Sequence, residues 1–272
     1  MSRPRLGTVV VKVGTSVITN PDGTLNVLRV NQIVDQIARN RDKAKAFVVV
    51  TSGAIASGIT RLGLGLTPQE LSLTMKQVCA SIGQPWLMGI YDRRFKKYGM
   101  TTAQILITEE DLANRYSYQN FWRTLKTLLQ NGAVPIVNEN DAISVRELIP
   151  VNPYLPERVR FGDNDRLSAL IASRIKASML IILTNVDGFY IKDSRGRQVL
   201  VKEIRKIDRD LMKYASGPDR LGRGGMVTKL EAAKIAAKSG VLTIITNGAN
   251  RKAISGALNG RPSGTLVFPS RD

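Results

Sequence analysis

Thr8-Val9-Val10-Val11-Lys12-Val13-Gly14-Thr15-Ser16 is the stretch on which the reading of the fold turns. Its β-branched run has no apolar–polar alternation and predicts a strand from Thr8 to Val13, buried on both faces and closed by Gly14. Phe47 to Thr51 repeats the pattern and closes on Ser52-Gly53. Between them Val27, Val30, Ile33, Val34, Ile37 and Ala38 recur at helical spacing. Strands then alternate with helices: a helix-rich stretch from Pro68 to Tyr98 with Pro85 as a break or helix start, strands at Thr102–Ile107, Ala133–Val137 and Met179–Thr184, a helix from Leu167 to Ile175 after the loop Gly162 to Asp165, a helix from Val227 to Ser239 stopped by Gly240, and closing strands at Val241–Thr246 and Thr265–Phe268. Thr108 with Asp111 reads as a capping box, and Asp187-Gly188 as a turn. The alternation predicts an α/β fold around a mainly parallel sheet with helices on both faces. Val145 to Arg160, with three prolines, reads as a hairpin or lid, and glycine-rich Ser216 to Gly225 as mobile. A lobe boundary is expected near residue 176.

Composition narrows the chemistry. The 272 residues are 43 % apolar, enough for a large core in one domain or two joined lobes. No apolar run approaches the roughly 20 residues that span a bilayer, and Met1 to Leu6 lacks the pattern of a signal peptide. Cys79 is the only cysteine, which excludes an internal disulfide and fits a reducing, cytoplasmic setting. Histidine is absent, so Ser-His-Asp and Cys-His nucleophiles and histidine-bound metals are excluded. Phosphoryl transfer fits what is left, because it depends on positioning and charge stabilisation. The net charge of +18 suits either a nucleic-acid face or a dispersed basic surface that draws in anions. Scattered lysines and arginines, without interleaved aromatics, favour the second reading and disfavour nucleic acid.

Five segments carry candidate chemistry. Lys12 and Gly14 end the first strand, where a lysine and close backbone N–H groups can meet phosphate; alone, Lys12 fits a solvent-exposed strand end better. Ser52 and Gly53 open the small-residue loop Thr51–Gly58, which suits either anion binding at a helix N-terminus or a plain cap. Asn138, Glu139, Asn140 and Asp141 close a strand at the carboxyl edge of the sheet, where ligands of open α/β sheets bind. Asp141 would pair with an ammonium group and Asn138 would hydrogen-bond a carboxylate. Asp163, Asn164 and Asp165 precede a helix; one acid caps it and the other is free to hold lysines. Gly222-Arg223-Gly224-Gly225-Met226-Val227-Thr228-Lys229 sets a lysine in a first helical turn, against the helix dipole, a penalty that bound phosphate would reverse.

In this order the segments VVKVGTS, VVVTSGAIASG, AQILIT, VPIVNENDAIS, FGDNDRLSAL and GRGGMVTKLEAA resemble the amino acid kinase family over nearly the whole chain. They are most similar to the branch that phosphorylates the γ-carboxylate of glutamate, the first step of proline biosynthesis. The resemblance implies an α/β/α sandwich, a glutamate lobe over 1–176 and a nucleotide lobe over 177–272. It implies ATP and Mg²⁺, with the metal held mainly by phosphates and water. Lys12, Asp165 and Lys229 take the catalytic roles, Asp165 organising the two lysines. Ser52, Gly53, Asn138, Asp141 and Asn164 take the substrate. Lys12, Gly14, Thr184, Asn185, Arg223, Gly224, Gly225, Met226, Val227, Thr228 and Lys229 take the nucleotide. It further implies a dimer or tetramer, proline as a feedback ligand and glutamyl phosphate reductase as pathway partner.

Three features depart from the family pattern. Asp141 and Asn164 are farther apart than usual, Asn185 stands where many members have aspartate, and the RNA-binding-like domain that follows in many bacterial members is not expected. The alternatives are a kinase for N-acetylglutamate or aspartate, or an inactive basic protein that binds nucleic acid on this fold.

Overall fold

The computed structural model describes residues 5–144, 164–215 and 225–270. In chain order the elements are β1 (Leu6–Val13), α1 (Thr15–Ile18), α2 (Val27–Arg39), β2 (Ala44–Thr51), α3 (Ala54–Leu62), α4 (Leu73–Lys96), β3 (Thr102–Ile107), α5 (Glu109–Ala113), α6 (Arg115–Gln130), β4 (Val134–Glu139), α7 (Asn164–Arg174), β5 (Met179–Thr184), β6 (Tyr190–Lys192), β7 (Gln198–Leu200), β8 (Glu203–Ile204), α8 (Arg209–Ala215), α9 (Met226–Lys238), β9 (Leu242–Asn247), α10 (Ala253–Leu258) and β10 (Thr265–Val267). Eight strands form one sheet in the order β3-β4-β2-β1-β5-β9-β10-β8. The six from β3 to β9 are parallel; β10 runs antiparallel to β9, and β8 parallel to β10. β6 and β7 form a separate antiparallel pair.

β1 lies at the centre because its side chains are apolar on both faces. Val9, Val11 and Val13 face a core shared with α2, α4 and α10. Val10 faces a second core, shared with α6, α7 and α9. The two-residue period of a strand therefore sends Lys12 to the side of Val10, towards α7 and α9. The chain leaves β1 for β2 on one side and later fills β5 on the other. That reversal of strand order marks the crevice where open α/β sheets bind ligands.

The expected strands appear within a residue or two, save that β2 and β4 are longer. The Thr108 capping box is formed: the Thr108 amide and hydroxyl both donate to Asp111 Oδ2, at 2.8 Å each. Three expectations need correction. Pro85 neither breaks nor starts a helix but lies inside the continuous 24-residue α4, whose close packing on α3 holds the turn that lacks one N–H. The loop before α7 stops short of Asp165, because Asn164 and Asp165 are already in the first turn. α1, α6, α8 and α10 are helices, and β6, β7 and β8 strands, that the sequence pattern did not single out. The segments Val145 to Arg160 and Ser216 to Gly224 lie outside the described residues, as do Phe161, Gly162 and Asp163. Residue 176 falls in the turn between α7 and β5, while the sheet runs on unbroken through β1 and β5.

α3 and α4 touch backbone to backbone. A Cβ on Gly58 would sit 2.0 Å from the Cys79 carbonyl oxygen, and one on Gly83 would sit 2.0 Å from that of Ala54. Because the obstacle is backbone, no side-chain rotation relieves it. Gly58→Ala is therefore expected to destabilise the protein by about 1–3 kcal/mol. In thermal unfolding this reads as a Tm drop of about 2–4 °C per kcal/mol, and an unchanged Tm would show that the two helices separate at no cost.

Candidate active site

The carboxyl ends of β1, β2, β4 and β5 share one edge of the sheet, and the site is built there. At its centre Asp165 is fully buried. Lys12 Nζ lies 2.6 Å from Asp165 Oδ1, and Lys229 Nζ donates to Oδ2 at 3.1 Å. Thr228 Oγ1 also donates to Oδ2, at 2.9 Å. Lys12 comes from β1, Asp165 from α7 and Thr228 and Lys229 from α9, so one carboxylate joins three elements. Both lysines are only about 5 % exposed. Burial works to raise the Asp165 pKa, but the charges of Lys12 and Lys229 and their hydrogen bonds outweigh it and hold the carboxyl below its ordinary value. Two ammonium groups gathered at one carboxylate are donors of the polarity that a transferring phosphoryl group needs.

Of the two acids before the helix, Asp165 is the one that holds the lysines; Asp163, left to cap, lies outside the described residues. The dipole penalty expected for Lys229 is met by Asp165 itself, with no bound phosphate required. The N–H of Gly14, expected to face phosphate, donates to Leu183 O over a long 3.4 Å. A Cβ there would come within 3.2 Å of Leu183 O and 3.3 Å of Lys12 Nζ, a tight fit.

Next to Asp165, Asn164 begins a second network. Its Nδ2 lies 3.0 Å from Thr51 O, 3.0 Å from Ser52 Oγ and 3.1 Å from Asn138 Oδ1. Asn138 Nδ2 in turn donates to Gln84 Oε1 of α4 at 2.9 Å. Strand alternation explains the direction, since Asn138 shares its face of β4 with Val134 and Ile136, on the α4 side. Gly53 holds φ +100° at the N-terminus of α3, where a Cβ would meet Ile18 Cδ1 at 2.8 Å. Among the described residues no side chain caps that terminus, nor that of α9, which starts after Gly225.

A cavity of about 270 Å³ opens beside the amide network, lined by Ala54, Gln84, Glu139, Asn140 and Asp141 among others. Asp141 is buried in its wall, and Ser144 Oγ donates to Glu139 at 2.6 Å. Thr184 is buried at the end of β5, its carbonyl accepting from Gly248 N, and Asn185 is exposed just beyond. The structure thus gathers Lys12, Asp165, Thr228 and Lys229 into one cluster, and Ser52, Asn138 and Asn164 into an adjoining one. Asp141 stands on the cavity, and Gly225, Met226 and Val227 lead α9 into the lysine cluster. Arg223 and Gly224 lie outside the described residues. Gln84 was missed by the sequence reading, for one polar residue inside a helix carries no periodic or motif signal.

Residues 7–247 match the profile of the amino acid kinase family. The chain belongs to that family. The matched span takes in β2, α4, β4, α7, β5 and α9 and nearly all of β1, and so every residue of the lysine and amide clusters. An amino acid kinase of Dehalococcoides mccartyi strain CBDB1, named glutamate 5-kinase, is 41 % identical over 265 residues, which cover 96 % of this chain and 68 % of the relative. Another of that name, from Clostridium acetobutylicum, is 40 % identical over 264 residues, covering 96 % of this chain and 94 % of its own. Among solved structures, carbamate kinase from Giardia lamblia bound to AMP-PNP superimposes with a TM-score of 0.62 at 17 % identity, over 96 % of this chain and 98 % of that one. An isopentenyl phosphate kinase gives 0.59 at 18 % identity, over 96 % and 100 %. At such identities these two establish the shared amino acid kinase fold.

The depressed pKa of Asp165 makes stability depend on acid. Its folded-state pKa lies below that of the unfolded chain, so the contribution is whole above the ordinary 3.8 and is lost as pH falls below 3.8 towards the folded value. Asp165→Asn removes the carboxylate that both buried lysines share and is expected to cost about 3–5 kcal/mol near neutral pH. In denaturant titrations at pH 7 and pH 3 the gap between wild type and variant should narrow at the lower pH. A gap that is the same at both would show that folding leaves the Asp165 pKa unchanged.

Proposed function

We propose that this chain transfers the γ-phosphoryl group of ATP to the γ-carboxylate of L-glutamate, giving glutamyl 5-phosphate in the first step of proline biosynthesis. The observation that carries the reading is the adjacency of Asn164 and Asp165: one residue gathers the amides of the acceptor side, the next gathers the two lysines. Relatives named glutamate 5-kinase, at 40–41 % identity over nearly the whole chain, support it. Residues 1–176 would carry glutamate and residues 177–272 the nucleotide.

A carboxylate is already a nucleophile at neutral pH, so no general base is needed and the lack of histidine is no obstacle. A glutamate γ-oxygen forms the new P–O bond as the bond from the γ-phosphorus to the ADP oxygen breaks. Lys12 and Lys229, held apart by Asp165, would face the phosphoryl oxygens from two sides. Lys12, Gly14, Thr184, Asn185 and the start of α9 would hold the nucleotide. Among the described residues no group of three or more acidic or thiol side chains gathers to hold a metal ion, and Asp165 is taken up by ammonium groups. That donor set suits a Mg²⁺ ion held chiefly by nucleotide phosphates and water. Asp141 on the cavity favours a free α-ammonium group over an acetylated amine.

The proposal places the protein in the cytoplasm; no helix among the described residues is long and apolar enough to cross a membrane. An acyl phosphate is short-lived in water, so glutamyl phosphate reductase is its natural consumer, and proline a candidate feedback ligand. A homo-oligomer would use the outer face of α3 and α4, where Leu62, Val78 and Ile82 are exposed.

The test is ADP release with ATP and Mg²⁺ on glutamate, N-acetylglutamate, aspartate or no acceptor, with hydroxylamine to trap acyl phosphate. Glutamate-dependent hydroxamate is expected; turnover confined to another acid would replace the substrate, and none at all would overturn the enzyme reading. Lys229→Ala should lower kcat by at least about a hundredfold, as loss of a transition-state donor does. Ser52→Ala and Asp141→Ala should chiefly raise KM for glutamate. If they raised only KM for ATP, the two lobes would have been assigned in reverse.

A further inference from the structure

We infer that Gln84 is a substrate-binding residue whose amide N–H₂ takes the α-carboxylate of the acceptor amino acid; this rests on the reading that the acceptor is glutamate or a similar amino acid. The polarity of the amide chain sets what Gln84 offers. Thr51 O is a backbone carbonyl and can only accept, so Asn164 must turn its Nδ2 towards it. That same Nδ2 is 3.1 Å from Asn138, which must therefore present Oδ1. Asn138 is left with Nδ2 pointing to Gln84, which must answer with Oε1. Gln84 Nε2 is the donor left over at the far end of the chain. It is buried, it has no hydrogen-bond partner among the described residues, and its side chain lines the 270 Å³ cavity.

A buried donor without a partner costs about 1–3 kcal/mol, so the site as it stands lacks an acceptor. The cavity wall also holds Asp141 and Glu139, which disfavour a simple anion. A zwitterion meets both demands, its carboxylate on Gln84 and its ammonium beside the acids. The first turn of α3 adds to this: Ala54 lines the cavity directly after the uncapped Gly53 N-terminus. The volume is below the about 300–1,000 Å³ of pockets that hold drug-sized ligands, and suits a small amino acid. The phosphorylated carboxylate belongs at the lysine cluster, next to Asn164, so the carboxylate at the Gln84 end is the other one.

The deciding comparison uses Gln84→Glu, which keeps an acceptor for Asn138 Nδ2 and replaces the outward donor with an acidic oxygen that cannot receive a carboxylate. Three acceptors are compared: glutamate, glutarate (no amine) and 4-aminobutyrate (no α-carboxylate). Apparent affinity is read from KM, or from competitive Ki where there is no turnover. Affinity for glutamate and for glutarate should fall about ten- to a hundredfold, the worth of a hydrogen bond to a charged group, while 4-aminobutyrate changes less than about threefold and KM for ATP holds. An equal loss for all three acceptors, or a parallel rise in KM for ATP, would reduce Gln84 to a structural part. Should Gln84→Glu fail to fold, Gln84→Met carries the same comparison. Wild-type turnover of glutamate is measured first. If it is absent, the proposed substrate falls, and Gln84 is judged by the same criterion on the acid that is accepted and its analogue lacking the α-carboxylate.

Discussion

The site depends on one buried carboxylate that must satisfy two buried ammonium groups. Lys12, Lys229 and Asp165 come from three different elements, and each would be costly to bury without the others. The cluster therefore constrains the fold as well as the chemistry. β1 must end where α7 begins, and α9 must bring its first turn over both. Two ammonium groups held in place are what the arrangement offers a phosphoryl group, and they stand there before any ligand arrives. Preorganised charge of this kind needs no rearrangement at the moment of reaction.

The sheet divides the labour between its two faces. Lys12 and Thr184 fall on the side of α7 and α9, while Thr51 and Asn138 fall on the side of α4, a consequence of nothing more than strand alternation. Thr51 Oγ1 meets Tyr91 OH at 2.9 Å there, and Asn138 meets Gln84. Asn164 and Asp165, consecutive at the start of α7, connect the two sides. Helical geometry turns consecutive side chains about a quarter-turn apart, so one residue reaches the amides while the next reaches the lysines. The close approach of α3 to α4 through Gly58 and Gly83 brings Gln84 within reach of Asn138.

The strand and helix order, the parallel sheet and the candidate residues on β1, β4, α7 and α9 were legible in the sequence. Unbroken β-branched runs announce buried strands, and polar clusters at their ends announce the carboxyl edge. Pro85 misled because tertiary contacts with α3 held α4 together across it, which no local rule contains. α6 carries a clear one-sided apolar pattern and an Asn114 cap that were legible but not singled out beside the strand signals, whereas six-residue α10 is too short for a periodic signal.

By itself the sequence determined which residues would be buried in strands, which loops would carry charge and amides, and that histidine and disulfide chemistry were closed to this protein. Those follow from composition and local periodicity, which depend only on neighbours in the chain. Tertiary structure decided the geometry by which Asp165 meets both lysines, and it alone decided that Asn164 points to Thr51 and Asn138 and that Gln84 ends the amide chain with a donor. Those facts depend on side chains many residues apart, brought together by the strand order and by helices pressed onto the sheet. Hydrogen-bond polarity then passes from one amide to the next, and a single backbone carbonyl sets it for all of them.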